Sequence, residues 1–367
     1  MATSFGRVIP LGEEMRSGNV LDTTTWFDSS EKFAHFKALI RVESDKLAKW
    51  VLTIRDAKYR VIDTLSDKSL NATASTWTKR ISLGSGAVYF DFEQIAGTEA
   101  VLKITKVIAM PTDATNPFYS VQTPGAEQYR DVADDSVSPR TKRLADLVGM
   151  QVGSIDSKVW CCTAVAIGPD LVMTNWHCGG VEHEINENAY WSESICERTS
   201  FDFSWDGDKI DREFQCDKVL QADRALDIAI IKVKPRNGTD QLRFANRWAN
   251  VDPKGAPLIV IQHPACKPKK VASAGTCVAL ASDSAGTASL LTTDFQHTCD
   301  TMNGSSGAPL FDFKYRFVGL HHLGFEFDKT RLQCDKKNKA IHAGSILNAL
   351  HQSSKQALGA VPVIEAP

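Results

Sequence analysis

Three short segments carry residue types that together could perform nucleophilic acyl transfer. That chemistry needs a hydroxyl nucleophile, a base within hydrogen-bond reach, an acid to orient the base, and backbone N–H donors where the oxyanion forms. The stretch Cys162-Thr-Ala-Val-Ala-Ile-Gly-Pro-Asp-Leu-Val-Met-Thr-Asn-Trp-His177-Cys178 has a hairpin-like pattern and ends on a histidine flanked by cysteine. Leu226-Asp227-Ile-Ala-Ile-Ile-Lys-Val233 sets a carboxylate at the mouth of an apolar strand, where it would be largely buried. Gly304-Ser305-Ser306-Gly307-Ala308-Pro309 offers serine between glycines, whose backbone freedom lets N–H groups turn toward a substrate carbonyl. Each segment alone is more often structural than catalytic; their joint presence in one chain is what points to chemistry.

Taken in order, the segments resemble the trypsin-like peptidase family, in particular a bacterial branch that includes glutamyl endopeptidases. The shared features are a cysteine 15 residues before His177, Cys178 after it, the Asp227-to-Lys232 strand, and the Gly304-to-Pro309 loop. The resemblance covers residues 144–352 and implies a chymotrypsin-like double β-barrel with the site in the cleft between barrels. It implies that Ser306 attacks, His177 moves its proton, Asp227 orients His177, and the N–H groups of Gly304 and Ser306 hold the oxyanion. It implies no cofactor and a protein or peptide as substrate. Two positions depart from the family pattern. Ser305 replaces the aspartate that receives a new N-terminal ammonium in trypsin, so that activation route is not expected, and Ala308 replaces a glycine.

The specificity pocket is expected to draw on Asp300, Thr301, His321, His322 and Gly324, and its cues conflict. By resemblance, Asp300 sits where trypsin has its pocket aspartate, whereas Thr301, His321 and the wall strand Gly319-Leu-His-His-Leu-Gly324 match glutamyl endopeptidases. A substrate glutamate beside an ionised Asp300 would place like charges in a low-dielectric pocket, so Arg or Lys is the expected preference. His321 pairing with Asp300 would instead neutralise the pocket. The rivals to an endopeptidase are a catalytically silent binding module on the same barrels and an esterase using the same triad.

The elements that must position these residues are mostly strands. From His35 to Met110 apolar and polar residues alternate in short runs, such as Phe36, Ala38, Ile40, Val42 and Trp50, Leu52, Ile54. That period suggests a small β-sandwich over residues 25–110, after an N-terminal extension of residues 1–24. It holds no evident nucleophile or metal cluster and is expected to bind a regulator or substrate. Residues 111–143, rich in Pro, Thr, Asp, Ser and Gly, read as a linker, and residues 144–367 as the catalytic domain. That domain is nearly all β, with one C-terminal helix capped by Ser345 and carrying Ile346, Leu347, Leu350 and Leu358.

Composition narrows the remaining classes. The 367 residues include 43% hydrophobic and 23% charged residues, as in ordinary globular proteins, and the formal net charge of −2 gives no global attraction to nucleic acid or an anionic membrane. No run approaches the roughly 18 apolar residues of a membrane span, and the first residues lack the apolar core of a secretory leader, so a cytoplasmic location is expected. Nine cysteines leave one thiol over, and Cys162 with Cys178 could bridge under oxidising conditions. Cys161 and Cys299 read as small buried residues. His177, Cys178, His183 and Glu184 cluster without a familiar zinc spacing, and no metal is expected.

Overall fold

The structure is a computed structural model that describes residues 7–24, 26, 33–44, 47–70, 74–82, 86–111, 128–155, 158–181, 186–206, 212–236, 241–249, 252–283, 292–324, 326–328, 333–335, 338–353 and 363–365. It divides into two compact units, Phe5–Thr115 with Ile155–Val159, and Met1–Ser4 with Asn116–Ser154 and Trp160–Pro367.

The first unit is a two-layer sandwich. One antiparallel sheet runs Arg7–Met15, Val101–Pro111, Phe33–Glu43, Ser75–Trp77, and the other Val20–Asp22, Tyr89–Ala96, Lys49–Arg55, Val61–Ser66. Alternation dictates the packing: Trp50, Leu52 and Ile54 from one sheet share a core with Phe36, Ile40, Leu102 and Ile104 from the other. The sheets take in Arg7–Met15 and Val20–Asp22, which the sequence reading left in an extension. Val20–Asp22 is only three residues long, and Arg7–Met15 shifts register between Pro10 and Glu13, so neither carries an unbroken alternation.

The second unit holds two six-stranded barrels. The first closes through Val148–Ile155, Lys158–Gly168, Leu171–Thr174, Ile228–Pro235, Glu213–Asp223 and Ser200–Asp202. The second runs Pro257–Gln262, Lys270–Asp283, Asp294–His297, Asn338–His342, Phe317–Leu323 and Pro309–Asp312, and closes because Pro309–Asp312 pairs with both of its neighbours in the ring. One apolar core spans both, with Val165, Met173 and Ile230 of the first barrel in the cluster that holds Ile259, Phe311 and Leu320 of the second. Closure removes free sheet edges, and the shared core fixes the barrels to each other.

Two local ties link distant parts of this unit. Cys161 and Cys266 form a disulfide from a first-barrel strand to the turn Pro264–Cys266. The fully buried Lys269 ammonium donates to the carbonyls of Ala145 (2.8 Å) and Phe203 (2.9 Å), before the second barrel's longest strand begins.

This unit begins earlier than residue 144. Within the expected linker, Tyr129–Asp131 pairs with Lys270–Asp283, and Pro139–Ala145 is a helix whose Ser138 side chain caps the N–H of Thr141. The final helix is Ala343–Ser353. Ser345 therefore lies inside it and donates its hydroxyl to the Thr293 carbonyl instead of capping. Ile346, Leu347 and Leu350 are buried as expected, and Leu358 falls outside the described residues.

Candidate active site

His177 sits in a short 3₁₀ turn, Trp176–Gly179, directly after the strand Leu171–Thr174. The turn is held from beneath: the Cys178 carbonyl accepts from Gln151 Nε2 (2.7 Å) and Trp160 Nε1 (2.8 Å), and Cys178 is bridged to Cys162. Asp227 precedes the strand Ile228–Pro235, and its backbone lies in the left-handed region at φ 55°, unusual for a residue with a side chain. Asn175 Nδ2 donates to the Asp227 carbonyl (3.0 Å), which helps hold that turn. The carboxylate then reaches back to His177 twice, accepting the backbone N–H at Oδ1 (2.9 Å) and the ring Nδ1–H at Oδ2 (2.8 Å). With Nδ1 donating, Nε2 carries the lone pair, and it is buried without a hydrogen-bond partner.

The Ser306 loop is clamped onto the first barrel by one residue, through backbone and side chain. Thr163 donates its N–H to the Ser306 carbonyl (2.8 Å) and its hydroxyl to the Gly304 carbonyl (2.8 Å). Because Thr163 follows Cys162, the half-cystine that anchors the His177 turn, the same strand positions both candidate residues; the Ser306 carbonyl lies 4.0 Å from Cys178 Sγ. Gly304 (φ 94°) and Gly307 (φ 84°) occupy left-handed backbone, and a Cβ on Gly307 would meet the Thr163 carbonyl at 2.0 Å. Nothing among the described residues accepts from the N–H of Gly304 or Ser306. Ser305, buried, closes the loop on itself: its N–H donates to the Met302 carbonyl (2.9 Å) and its hydroxyl accepts from the Met302 N–H (3.0 Å). That pair of neutral bonds stands where the family's aspartate would await an ammonium.

Burial and charge set the protonation states. Burial holds His177 below the ordinary value of 6.5, outweighing the attraction of Asp227, so the ring is a neutral base at neutral pH. Partial burial alone would raise the value of Asp227, yet His177 and His322 together hold it below the usual carboxylate range.

The adjacent histidines of the wall strand Phe317–Leu323 do different things. His321 pairs with His297 (Nδ1 to Nε2, 3.1 Å), not with Asp300; burial pushes His297 down to about 3 and His321 well below 6.5, so both are neutral. His322, expected in the substrate pocket, lies instead between two carboxylates. Its Nδ1–H donates to Asp227 Oδ2 (3.2 Å) and its Nε2–H to Asp294 Oδ2 (2.7 Å). The cause is the two-residue period of a strand, which sends neighbouring side chains to opposite faces.

Of the other expected pocket residues, Asp300 is buried, accepts the Gln128 N–H at Oδ2 (2.8 Å), and has no ion pair among the described residues. Thr301 donates to Asn338 Oδ1 (3.0 Å), and Gly324 follows the wall strand half-buried. His297 and Asp294 escaped the sequence reading because the strand Asp294–His297 is four residues long and carries no motif. Cys162, His177 and Cys178 lie close enough to suggest a metal site, but the two sulfurs are spent in a disulfide, and His183 and Glu184 lie outside the described residues. Cys161 and Cys299 are buried as expected, and each is disulfide-bonded, to Cys266 and Cys277.

Residues 162–320, from the half-cystine that anchors the His177 turn to the wall strand, match the family of the trypsin-like peptidase domain. The chain carries a trypsin-like peptidase domain. The peptidase domain is by class a serine peptidase, a hydrolase. Similar solved structures include Rv3671c from M. tuberculosis H37Rv as an inactive-form mutant, at 18% identity and TM-score 0.41, over 61% of this chain and 96% of that one. The active form of the Rv3671c protease from M. tuberculosis is similar at 21% identity and TM-score 0.41, over 63% and 89%. No curated protein matches the chain.

Proposed function

We propose that the peptidase domain is an endopeptidase that cleaves protein substrates through Ser306, His177 and Asp227, after Arg or Lys. The observation that carries this reading is the double hold of Asp227 on His177, through backbone and ring, which leaves a buried, unpartnered Nε2 lone pair on a neutral imidazole. Ser306 Oγ gives its proton to that nitrogen as it attacks the scissile carbonyl, and the N–H groups of Gly304 and Ser306 receive the oxyanion. His177 then protonates the leaving amine, and water hydrolyses the acyl-enzyme by the same route in reverse. The Ser306–His177 bond is absent in the structure, and substrate closes it, as catalytic contacts commonly tighten in the bound complex.

The preference for a basic residue is supported by charge. Among the described residues Asp300 is a buried carboxylate that accepts one backbone N–H and has no counterion, and the His297–His321 pair is neutral and so offers a substrate glutamate no cation. Four disulfides, Cys161–Cys266, Cys162–Cys178, Cys196–Cys216 and Cys277–Cys299, favour an oxidising compartment over the cytoplasm expected from sequence. The β-sandwich unit binds substrate or a regulator in this reading. A fluorophosphonate probe tests the assignment: stoichiometric labelling that disappears in Ser306→Ala and His177→Ala supports it, and labelling that persists in Ser306→Ala overturns it.

A further inference from the structure

The candidate triad does not end at Asp227. Its Oδ2 accepts from two rings, His177 Nδ1 at 2.8 Å and His322 Nδ1 at 3.2 Å. His322 continues through Nε2 to Asp294 Oδ2 at 2.7 Å, and the other Asp294 oxygen accepts the Thr293 hydroxyl at 3.0 Å. Asp294 is fully buried and His322 nearly so. A neutral imidazole has one N–H and one lone pair. Set between two carboxylates, a neutral His322 would direct its lone pair at a carboxylate oxygen, whereas an imidazolium satisfies both.

We propose that His322 and Asp294 are positioning residues for catalysis: a buried imidazolium–carboxylate pair that fixes the Asp227 carboxylate and sets the basicity of His177 through it. This rests on the peptidase reading above. The titratable groups facing His322 are Asp227 from the turn before Ile228–Pro235, Asp294 from the strand Asp294–His297, and the neutral rings of His177, His297 and His321. His342, on the strand paired with Asp294, feels Asp294 as well. Burial would lower His322, but the bonds to Asp227 and Asp294 outweigh it and raise the ring to about 9. The nearer charge to His177 is the positive one, since His322 shares the oxygen that His177 uses, and Asp294 lies on the far side of His322. The pair therefore makes His177 a weaker base than Asp227 alone would, which keeps the ring neutral and ready to accept a proton at mildly acid pH.

The test uses the full chain. In the double variant His322→Asn/Asp294→Asn, the asparagine Nδ2 at 322 stands in for Nδ1 toward Asp227, and no charge is left buried alone. We expect kcat/KM to fall roughly tenfold, as loss of an orienting partner of a working histidine commonly does. The acid limb of its pH profile should rise by about 0.5–1 unit. A change confined to packing lowers the rate without moving the limb, so an unmoved limb overturns the proposal. Independently of turnover, ¹⁵N-histidine NMR of Ser306→Ala should show one ring protonated on both nitrogens at pH 7.5, lost when His322→Asn/Asp294→Asn is added. Absence of such a ring overturns the proposal, and a chain with that ring but no peptide cleavage overturns the peptidase reading instead.

Discussion

His321 and His322 are neighbours on one strand, both buried, and burial alone would discharge either. His321 meets another imidazole and is driven neutral; His322 meets two carboxylates and stays charged. The difference teaches that position in a strand decides which face a histidine serves, and that its partners, more than its depth, decide its charge. In this peptidase domain one face of the strand addresses the neutral His297 pair and the other the acid of the candidate triad.

Substitutions on either face of the strand should separate the two roles, and the largest effect is expected at the triad on the charged side. Ser306→Ala and His177→Ala should each lower peptide turnover by about three to six orders of magnitude with the fold intact by circular dichroism, because triad members act as a unit. Turnover within tenfold of the parent in either variant would dissolve the assignment.

Next in size is specificity. With fluorogenic substrates that differ only in the residue before the cleaved bond, Asp300→Ser should lose at least about tenfold of its preference for Arg and Lys, the cost of removing a buried charge partner. His321→Gln should alter that preference by less and leave the acid limb of kcat/KM in place, whereas His322→Asn/Asp294→Asn should move the limb and leave the preference. If the two variants act alike, the two faces of the strand are not functionally separate.

The smallest effect is on stability. His322 has a folded pKa raised to about 9 from 6.5, so its contribution is fully present below 6.5 and is lost as pH rises through 9. Asp227 is depressed, so its contribution is present above 3.8 and is lost as pH falls through its folded value. The melting temperature should decline between pH 6.5 and 9 by a few degrees, and His322→Asn/Asp294→Asn should flatten that decline. An identical slope in parent and variant would remove His322 as its source.

The sequence made legible whatever is local. Strand runs such as Trp50-Val-Leu-Thr-Ile54 and Ile228-to-Val233 carry their own periodicity, and His177, Asp227 and Ser306 sit in segments whose spacing and order name a family. What it hid depends on chain folding back over long distances. Asp294 reaches His322 across 28 residues, His297 reaches His321 across 24, and Cys161 finds Cys266 across 105. None of these partners has a motif of its own. Resemblance locates the wall strand, and with it both His321 and His322, but not which of the two adjacent histidines meets Asp227. The alternation of the strand holds that information, but only once Asp227 and Asp294 are known to lie on one side.

Digestion of a proteome-derived peptide library, read by mass spectrometry for the intact chain and for Ser306→Ala, decides whether Ser306 cleaves peptide bonds after basic residues. The intact chain should give internal cleavages after Arg and Lys, and Ser306→Ala none above background. Equal cleavage by both proteins, or no cleavage by the intact chain, would contradict that role of Ser306.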